Sequence, residues 1–172
     1  MTENIILLPL EGRDYNGGSI RFGQSRAEVE GLLGAPDTVR GSRCYYFGHE
    51  LALDFDGAGG LEFIEFLSGP EGTLRPRLYG LDIFESDADE LLAQLLERNG
   101  EDVDDSEAGY SYALRRLSIG LYREITPEDV NAMLREMLNV DLTQLGGVDI
   151  EQEQRKAHHW ATVGLGRPGY YN

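Results

Sequence analysis

The sequence is poor in cysteine and in long apolar runs. Cys44 is the single cysteine among 172 residues, so no disulfide can form within the chain. The apolar run near the start, IILLPL, spans only six residues, and neither a basic segment nor a small-residue cleavage site accompanies it. We therefore expect no secretory signal and no membrane-spanning segment. Together with the single thiol, this predicts a cytoplasmic protein.

Positive charge is also scarce. The chain carries 15 Lys and Arg against 31 Asp and Glu, a formal net charge of −16. Such a charge repels phosphate backbones and anionic lipid surfaces, so we expect neither a nucleic acid nor a membrane as partner. It keeps a small protein in solution, and it would attract a basic protein and speed their encounter. The hydrophobic fraction of 41% is enough for a real core and argues against disorder.

The stretch SRAEVEGLLGAPD predicts a short helix with both ends specified. Ser25 takes the N-cap position, and Glu28 follows at the spacing of a capping box. Gly34 suits the left-handed C-cap, and Pro36 prevents the helix from resuming. A further helix is predicted from Thr126, with a proline in the first helical position.

Alternating apolar residues predict strands elsewhere. LALDF and LEFIEF, separated by DGAGG, predict an antiparallel hairpin, and CYYF predicts a strand before it. IILLPL, SIRFG and WATVGLG predict three more strands. We expect EGRDYNGG to form a turn and SGPEGTLRPRLYG (residues 68–80) a Pro/Gly-rich connector. A polar segment over 146–159 precedes the last strand.

The helix and its flanks recur later in the chain. GLDIFESDADELLAQLLERNG repeats the plan of SIRFGQSRAEVEGLLG, with Phe84 in the place of Phe22 and Asp87 in the place of Ser25. YSYALRRLSIGLY then matches CYYFGHELALDF, with Leu117 in the place of Leu51. One helix on a small sheet buries too little surface to be stable, whereas two such units can share a core.

These patterns predict an α+β fold built as a tandem pseudo-repeat of a short helix followed by an antiparallel hairpin or sheet. An extra helix is inserted in the second repeat. The repeats, about residues 1–68 and 79–172, form a single compact unit joined by the Pro/Gly-rich connector.

FGQSRAEVEGLLGAPD resembles the start of the small SmpA/OmlA (BamE-like) module and of the tandem β-lactamase-inhibitor-protein fold. Both use a short helix that ends in Gly-x-Pro before an antiparallel sheet. The resemblance implies a scaffold that binds proteins and carries no catalytic residues. The chain lacks the lipobox and disulfide cysteines of those families, so export and anchoring are not implied. In size and acidity it also resembles bacterial toxin-immunity proteins. The matching residues are Phe22, Gly23, Ser25, Val29, Leu33, Gly34 and Pro36.

One stretch has part of the spacing of a calcium loop. From Asp54 to Glu65, oxygen ligands fall at the first, third, ninth and twelfth positions, with Gly59 at the sixth. Ala58 interrupts the ligand set, and the flanks alternate like strands instead of forming helices. We therefore interpret the stretch as a hairpin with acidic outward residues. The pattern of histidines and of Cys44 likewise indicates no metal, cofactor or catalytic residue.

Exposed tyrosines beside acidic residues are typical of protein-recognition surfaces. The chain is rich in tyrosine on its predicted strands, and an acidic loop follows the second helix. The predicted partner-binding residues are Tyr110, Tyr112, Tyr170, Tyr171, Asp102, Asp104, Asp105 and Glu107.

Three hypotheses of function stay open at this point. The preferred one is a non-enzymatic protein-binding or inhibitor protein, such as an immunity protein that neutralises a basic toxin. The second is a divalent-cation-binding protein or small enzyme whose carboxylates converge in space, drawn from Asp54, Asp56, Glu62, Glu65 and the 102–107 cluster. The third is a self-associating subunit that uses its tyrosine-rich strands or the helix over 127–138. The sequence leaves the oligomeric state open.

Overall fold

The computed structural model describes residues 3–15, 18–138 and 149–172. The fold is mixed α+β, and the described residues form four α-helices and two sheets. The strands are β1 (Glu3–Leu8), β2 (Gly12–Tyr15), β3 (Gly18–Arg21), β4 (Thr38–Arg40), β5 (Arg43–Tyr46), β6 (Leu51–Phe55), β7 (Leu61–Phe66), β8 (Leu74–Leu78), β9 (Leu81–Asp82), β10 (Val103–Asp104), β11 (Ser111–Leu114), β12 (Ile119–Tyr122) and β13 (Thr162–Gly166). The α-helices are α1 (Arg26–Leu33), α2 (Ala88–Asn99), α3 (Pro127–Met137) and α4 (Ile150–His158), and a 3₁₀ turn spans Gly69–Glu71.

The smaller sheet has five strands in the order β3-β2-β1-β8-β9. β1 pairs with β8 in parallel, and the other neighbours are antiparallel. Two sequence expectations were wrong here. The expected turn EGRDYNGG contains strand β2, although Asn16 and Gly17 lie outside the described residues. The expected connector contains β8, in which buried and partly buried residues alternate. The strand was not predicted because proline rarely lies inside a paired strand, and Pro76 lies in its middle.

The larger sheet has eight strands, all antiparallel, in the order β10-β11-β12-β13-β7-β6-β5-β4. The predicted β6–β7 hairpin is confirmed, with Leu53 opposite Ile64. The β11–β12 hairpin is also present, but Leu114 pairs with Ile119. Leu117 therefore lies in the turn. The sequence comparison had placed it at the start of the strand, in the position of Leu51.

Period-two alternation gives the larger sheet two unlike faces. The core face carries apolar side chains that are almost fully buried, such as Leu53, Ile64 and Val163. The outward face carries charged residues and glycines, such as Arg43 and Gly164. One hydrophobic cluster includes residues from both sheets and from α1 and α2.

The first two helices begin and end as predicted. The Ser25 hydroxyl accepts a hydrogen bond from the Glu28 backbone N–H, and the Asp87 carboxylate does the same for Glu90. Gly34 and Gly100 follow the two helices with φ of 84° and 81°, a region that favours glycine.

The third helix was predicted and the fourth was not. α3 has a full capping box between Thr126 and Asp129. α4 was described only as part of a polar segment, because it is polar almost all round and Ala157 is its one buried residue. The residues at its two ends are nevertheless typical of helix termini. Asp149 caps the first turn, and basic side chains occupy the last turn, as the helix dipole favours.

Candidate functional site

The loop between β10 and β11 is exposed but tightly hydrogen-bonded. The Asp104 carboxylate accepts from the Ser106 backbone N–H at 3.1 Å and from its hydroxyl at 2.7 Å. These bonds hold the pKa of Asp104 below its usual value. The backbone N–H groups of Tyr110 and Ser111 both donate to the Glu107 carbonyl. The loop therefore presents its acidic side chains from a fixed backbone.

Two tyrosines stand beside this loop. Tyr110 is 37% exposed and Tyr122 is 43% exposed. The Tyr110 hydroxyl donates to the Asp129 carboxylate at 2.6 Å, which links the loop to the start of α3. This bond raises the pKa of Tyr110 and lowers the pKa of Asp129. An open depression of about 710 Å³ is lined by both tyrosines and by Glu107.

Two further depressions continue this surface over the sheet. One of about 210 Å³ includes Asp104, Glu107, Ser111 and Ala113. The other, of about 310 Å³, shares Ser111 and Ala113 with it and extends over the middle of the outward face. We call the continuous area around the loop the acidic–aromatic surface; it comprises Asp104, Ser106, Glu107, Tyr110, Ser111, Ala113 and Tyr122.

In the middle of the outward face, two glycines leave room for aromatic rings to lie against the sheet. The Phe63 ring lies over Gly164, where an added Cβ would come within 2.4 Å of the ring. Tyr170 stacks on Phe63 with ring centroids 4.6 Å apart. Tyr171 lies over Gly120, and a Cβ there would come within 2.3 Å of the tyrosine hydroxyl oxygen. Burial raises the pKa of both tyrosines. Residues 170–171 thus fill part of the depression.

The carboxylates with calcium-loop spacing are paired with arginines. Arg43 donates to Asp54 at 2.6 Å and also to Glu65. Burial acts to lower the pKa of Arg43, but the bond to Glu65 and the two negative charges raise it overall. Arg167 donates to Asp56 at 2.6 Å. Across residues 3–15, 18–138 and 149–172, no group of three or more His, Cys, Asp or Glu side chains is arranged to hold a metal ion.

No match to a known protein was found. No protein-family model matches the chain, and neither a curated protein nor a solved structure does. Among the helices that the structure describes, none has the length and apolar character needed to cross a membrane.

The structure brings some of the predicted partner-binding residues together and separates others. Asp104, Glu107 and Tyr110 belong to the acidic–aromatic surface, and Tyr170 and Tyr171 lie over the adjoining depression. Asp105 is exposed in the same loop.

Two of the predicted residues have internal partners. The Tyr112 ring faces the core, 5.9 Å from Trp160, and its hydroxyl accepts from the Gly109 N–H. Asp102 lies just before β10, with its carboxylate 3.3 Å from the Arg115 guanidinium. The sequence prediction omitted Tyr122, although period-two alternation from the buried Leu121 would have placed it outward.

Proposed function

We propose that the chain is a protein-binding module of the inhibitor or immunity type, which recognises a basic protein through the acidic–aromatic surface. One observation carries the proposal: the exposed rings of Tyr110 and Tyr122 flank an open depression that also bears the Glu107 carboxylate. An arginine or lysine side chain entering between the rings would gain cation–π contacts and a carboxylate partner together.

The charges around the depression support this type of partner. Within the described chain, no ion pair involves the carboxylates of Asp105 or Glu107. Both are therefore accessible to a cation from another molecule. The net charge of −16 would steer a basic protein toward the chain over longer distances.

The rigidity of the loop supports a binding role as well. Its backbone is fixed by hydrogen bonds to Asp104 and Glu107, and Tyr110 is tied to Asp129. A surface that is ordered before binding loses less conformational entropy when a partner arrives. Tyrosines held in this way are typical of the residues that dominate binding energy at interfaces.

We also propose that the chain is a tandem pseudo-repeat, as the sequence indicates. The strand order of the larger sheet supports this, because β7-β6-β5-β4 runs outward from the centre as β13-β12-β11-β10 does. The hairpin registers agree: Tyr46 pairs with Leu51, and Leu114 pairs with Ile119, each five positions later. A capped helix precedes each set of four strands.

The binding proposal is tested with a partner captured from the native host and identified. We expect a basic protein whose affinity, measured by calorimetry, falls as salt increases. The Glu107→Lys and Tyr122→Ala variants should each weaken binding by about tenfold or more. Glu97→Lys is the matched control, because it makes the same charge change at an exposed position of α2. Equal affinities for Glu107→Lys and Glu97→Lys would contradict the proposed surface.

A further inference from the structure

Arg13 is a buried cation that lacks a charged partner among the described residues; its guanidinium carbon lies 5.7 Å from the centroid of the Tyr15 ring, a cation–π contact. It lies on the core side of the five-stranded sheet, between Leu7 and Ile20 of the adjacent strands, and is 1% exposed. Within the described part of the chain, its Nε and Nη2 atoms have no hydrogen-bond partner. Burial of an unpaired guanidinium is costly, because the group loses its water without gaining an acceptor. An arginine in this position is therefore suited to an acceptor from another molecule.

The side chain lines a cleft that opens to the surface. The cleft has a volume of about 290 Å³ and lies between β2, β3, α1 and the turn after β5. Its other walls are mostly apolar. Tyr15 and Phe47 meet edge to face on one side, with ring centroids 6.5 Å apart, and α1 contributes Leu32 and Leu33. Leu32 is 50% exposed and Phe47 is 36% exposed, so the rim is accessible.

The neighbouring carboxylate does not neutralise Arg13. Asp14 is the next residue on β2, so its side chain leaves the opposite face of the strand. There it accepts hydrogen bonds from Ser19 at 2.8 Å and from Arg21 at 2.9 Å. Burial lowers the pKa of Arg13 to about 10, which still leaves it positively charged at neutral pH.

We propose that this cleft binds a small monocarboxylate with an apolar body, aromatic or branched, whose carboxylate pairs with the Arg13 guanidinium. The planar guanidinium fork matches a carboxylate, and the tyrosine, phenylalanine and leucine walls match an apolar body. A multiply charged phosphate fits less well, because Arg13 is the one cation among the described residues that line the cleft, in a chain of net charge −16. The volume lies at the lower end of small-molecule sites. This inference goes beyond the proposed partner binding and uses a different surface.

The test is an NMR titration of the intact chain with phenylacetate, followed through the methyl groups of Leu32 and Leu33 and the Arg13 Nε–H. We expect saturable shifts at these groups. Phenylacetamide, which has nearly the same shape but no charge, should bind about tenfold more weakly or worse, because it lacks the charge-assisted bond. Inorganic phosphate should leave the two leucines unshifted.

Variants connect the binding to the guanidinium. Arg13→Met should weaken phenylacetate binding about tenfold to a hundredfold, whereas Arg40→Met, at an exposed position of β4, should leave it unchanged. Leu32→Ala is a second variant, which leaves the Arg13 charge in place. It should weaken phenylacetate binding a few-fold, because apolar contact is lost. The proposal is overturned by equal affinity for acid and amide, by binding that survives Arg13→Met, or by no saturable shift up to about 10 mM.

Discussion

Two buried arginines of this protein differ in what surrounds their guanidinium groups. Arg123, on the strand end before α3, is 3% exposed and fully engaged. It donates to the carbonyls of Gly109 and Ala157 at 2.6 and 2.7 Å and to the Asp89 carboxylate at 3.1 Å. Its guanidinium also lies 4.9 Å from the Trp160 ring. Arg13 is buried at least as deeply, yet two of its nitrogens have no partner among the described residues.

This difference indicates that Arg123 stabilises the fold, whereas Arg13 is suited to binding a ligand. Arg123 connects the β10–β11 loop with α2 and the end of α4, and its donors satisfy carbonyls that would otherwise be buried without a partner. It thereby holds one end of the acidic–aromatic surface in place. Arg13 connects nothing of this kind, so its burial costs stability that the fold does not regain. Substitutions at the two positions should consequently have opposite effects.

Arg123→Met should cause the largest loss of stability. It removes the donors to the buried Ala157 carbonyl and the partly buried Gly109 carbonyl, together with the contact with Trp160. We expect the free energy of unfolding to fall by about 3–5 kcal/mol. Urea denaturation followed by tryptophan fluorescence measures this directly, because Trp160 is the single tryptophan and lies at the junction.

Arg123→Lys is the control for charge alone. A lysine keeps the positive charge but cannot donate along three directions in one plane, so we expect it to recover less than half of the lost stability. Full recovery would mean that the charge, and not the hydrogen-bonded fork, holds the junction. If Arg123→Met had the stability of the wild type, Arg123 would not stabilise the fold, and it would not differ from Arg13 in this respect.

The sequence predicted the parts of the fold that depend on neighbours along the chain. The caps at Ser25, Asp87 and Thr126 and the β6–β7 hairpin are all set by residues a few positions apart. The five-stranded sheet was missed because β1 and β8 pair in parallel across about 70 residues, and no local pattern encodes such a pairing. Helix α4 was missed because its burial is limited to Ala157.

The same limit applies to the functional surfaces. The acidic loop and its tyrosines were visible in the sequence because they are close together along the chain. Arg13 was read as part of a polar turn, since nothing nearby reveals that Leu32 and Phe47 close a cleft over it. Buried charges without partners are defined by tertiary packing, so sequence reasoning alone does not find them.

Arg13→Met should have the opposite sign to Arg123→Met. The methionine fills similar space with an apolar chain and removes an unpaired buried charge, so we expect the chain to gain about 1–3 kcal/mol of stability. The same urea denaturation measures it, with Arg21→Met as a partly exposed control on the neighbouring strand. A loss of more than about 1 kcal/mol would indicate that Arg13 has a structural partner after all.

Acid should lower the stability of the region around Asp129 and Tyr110, by less than the substitutions above change it. The Asp129 carboxylate accepts from the Tyr110 hydroxyl and from the Thr126 backbone N–H, and these bonds lower its pKa in the folded chain. A carboxylate with a depressed folded pKa stabilises the fold above its unfolded pKa, and this stabilisation is lost as pH falls through the folded value. The region held by Arg123 and Tyr110 should therefore weaken below about pH 4. Strands β2 and β3 beside the Arg13 cleft respond in the same way, because hydrogen bonds from Ser19 and Arg21 lower the pKa of Asp14.

Amide hydrogen exchange at pH 5 and pH 3 measures this difference, because it reports each region separately. We expect Tyr110, Ser111 and the first turn of α3 to lose protection at pH 3 more than β12 and β13 do, because these two strands contain no carboxylate. Asp129→Asn should reduce that extra loss, with Asp104, whose pKa Ser106 lowers, supplying the remainder; its cost at neutral pH should not exceed about 1 kcal/mol, since the carboxylate is near the surface. Tyr110→Phe removes one of the bonds to Asp129 and should reduce the acid effect by a smaller amount. If both variants kept the wild-type difference between the regions, Asp129 would not be the group that couples the acidic–aromatic surface to pH.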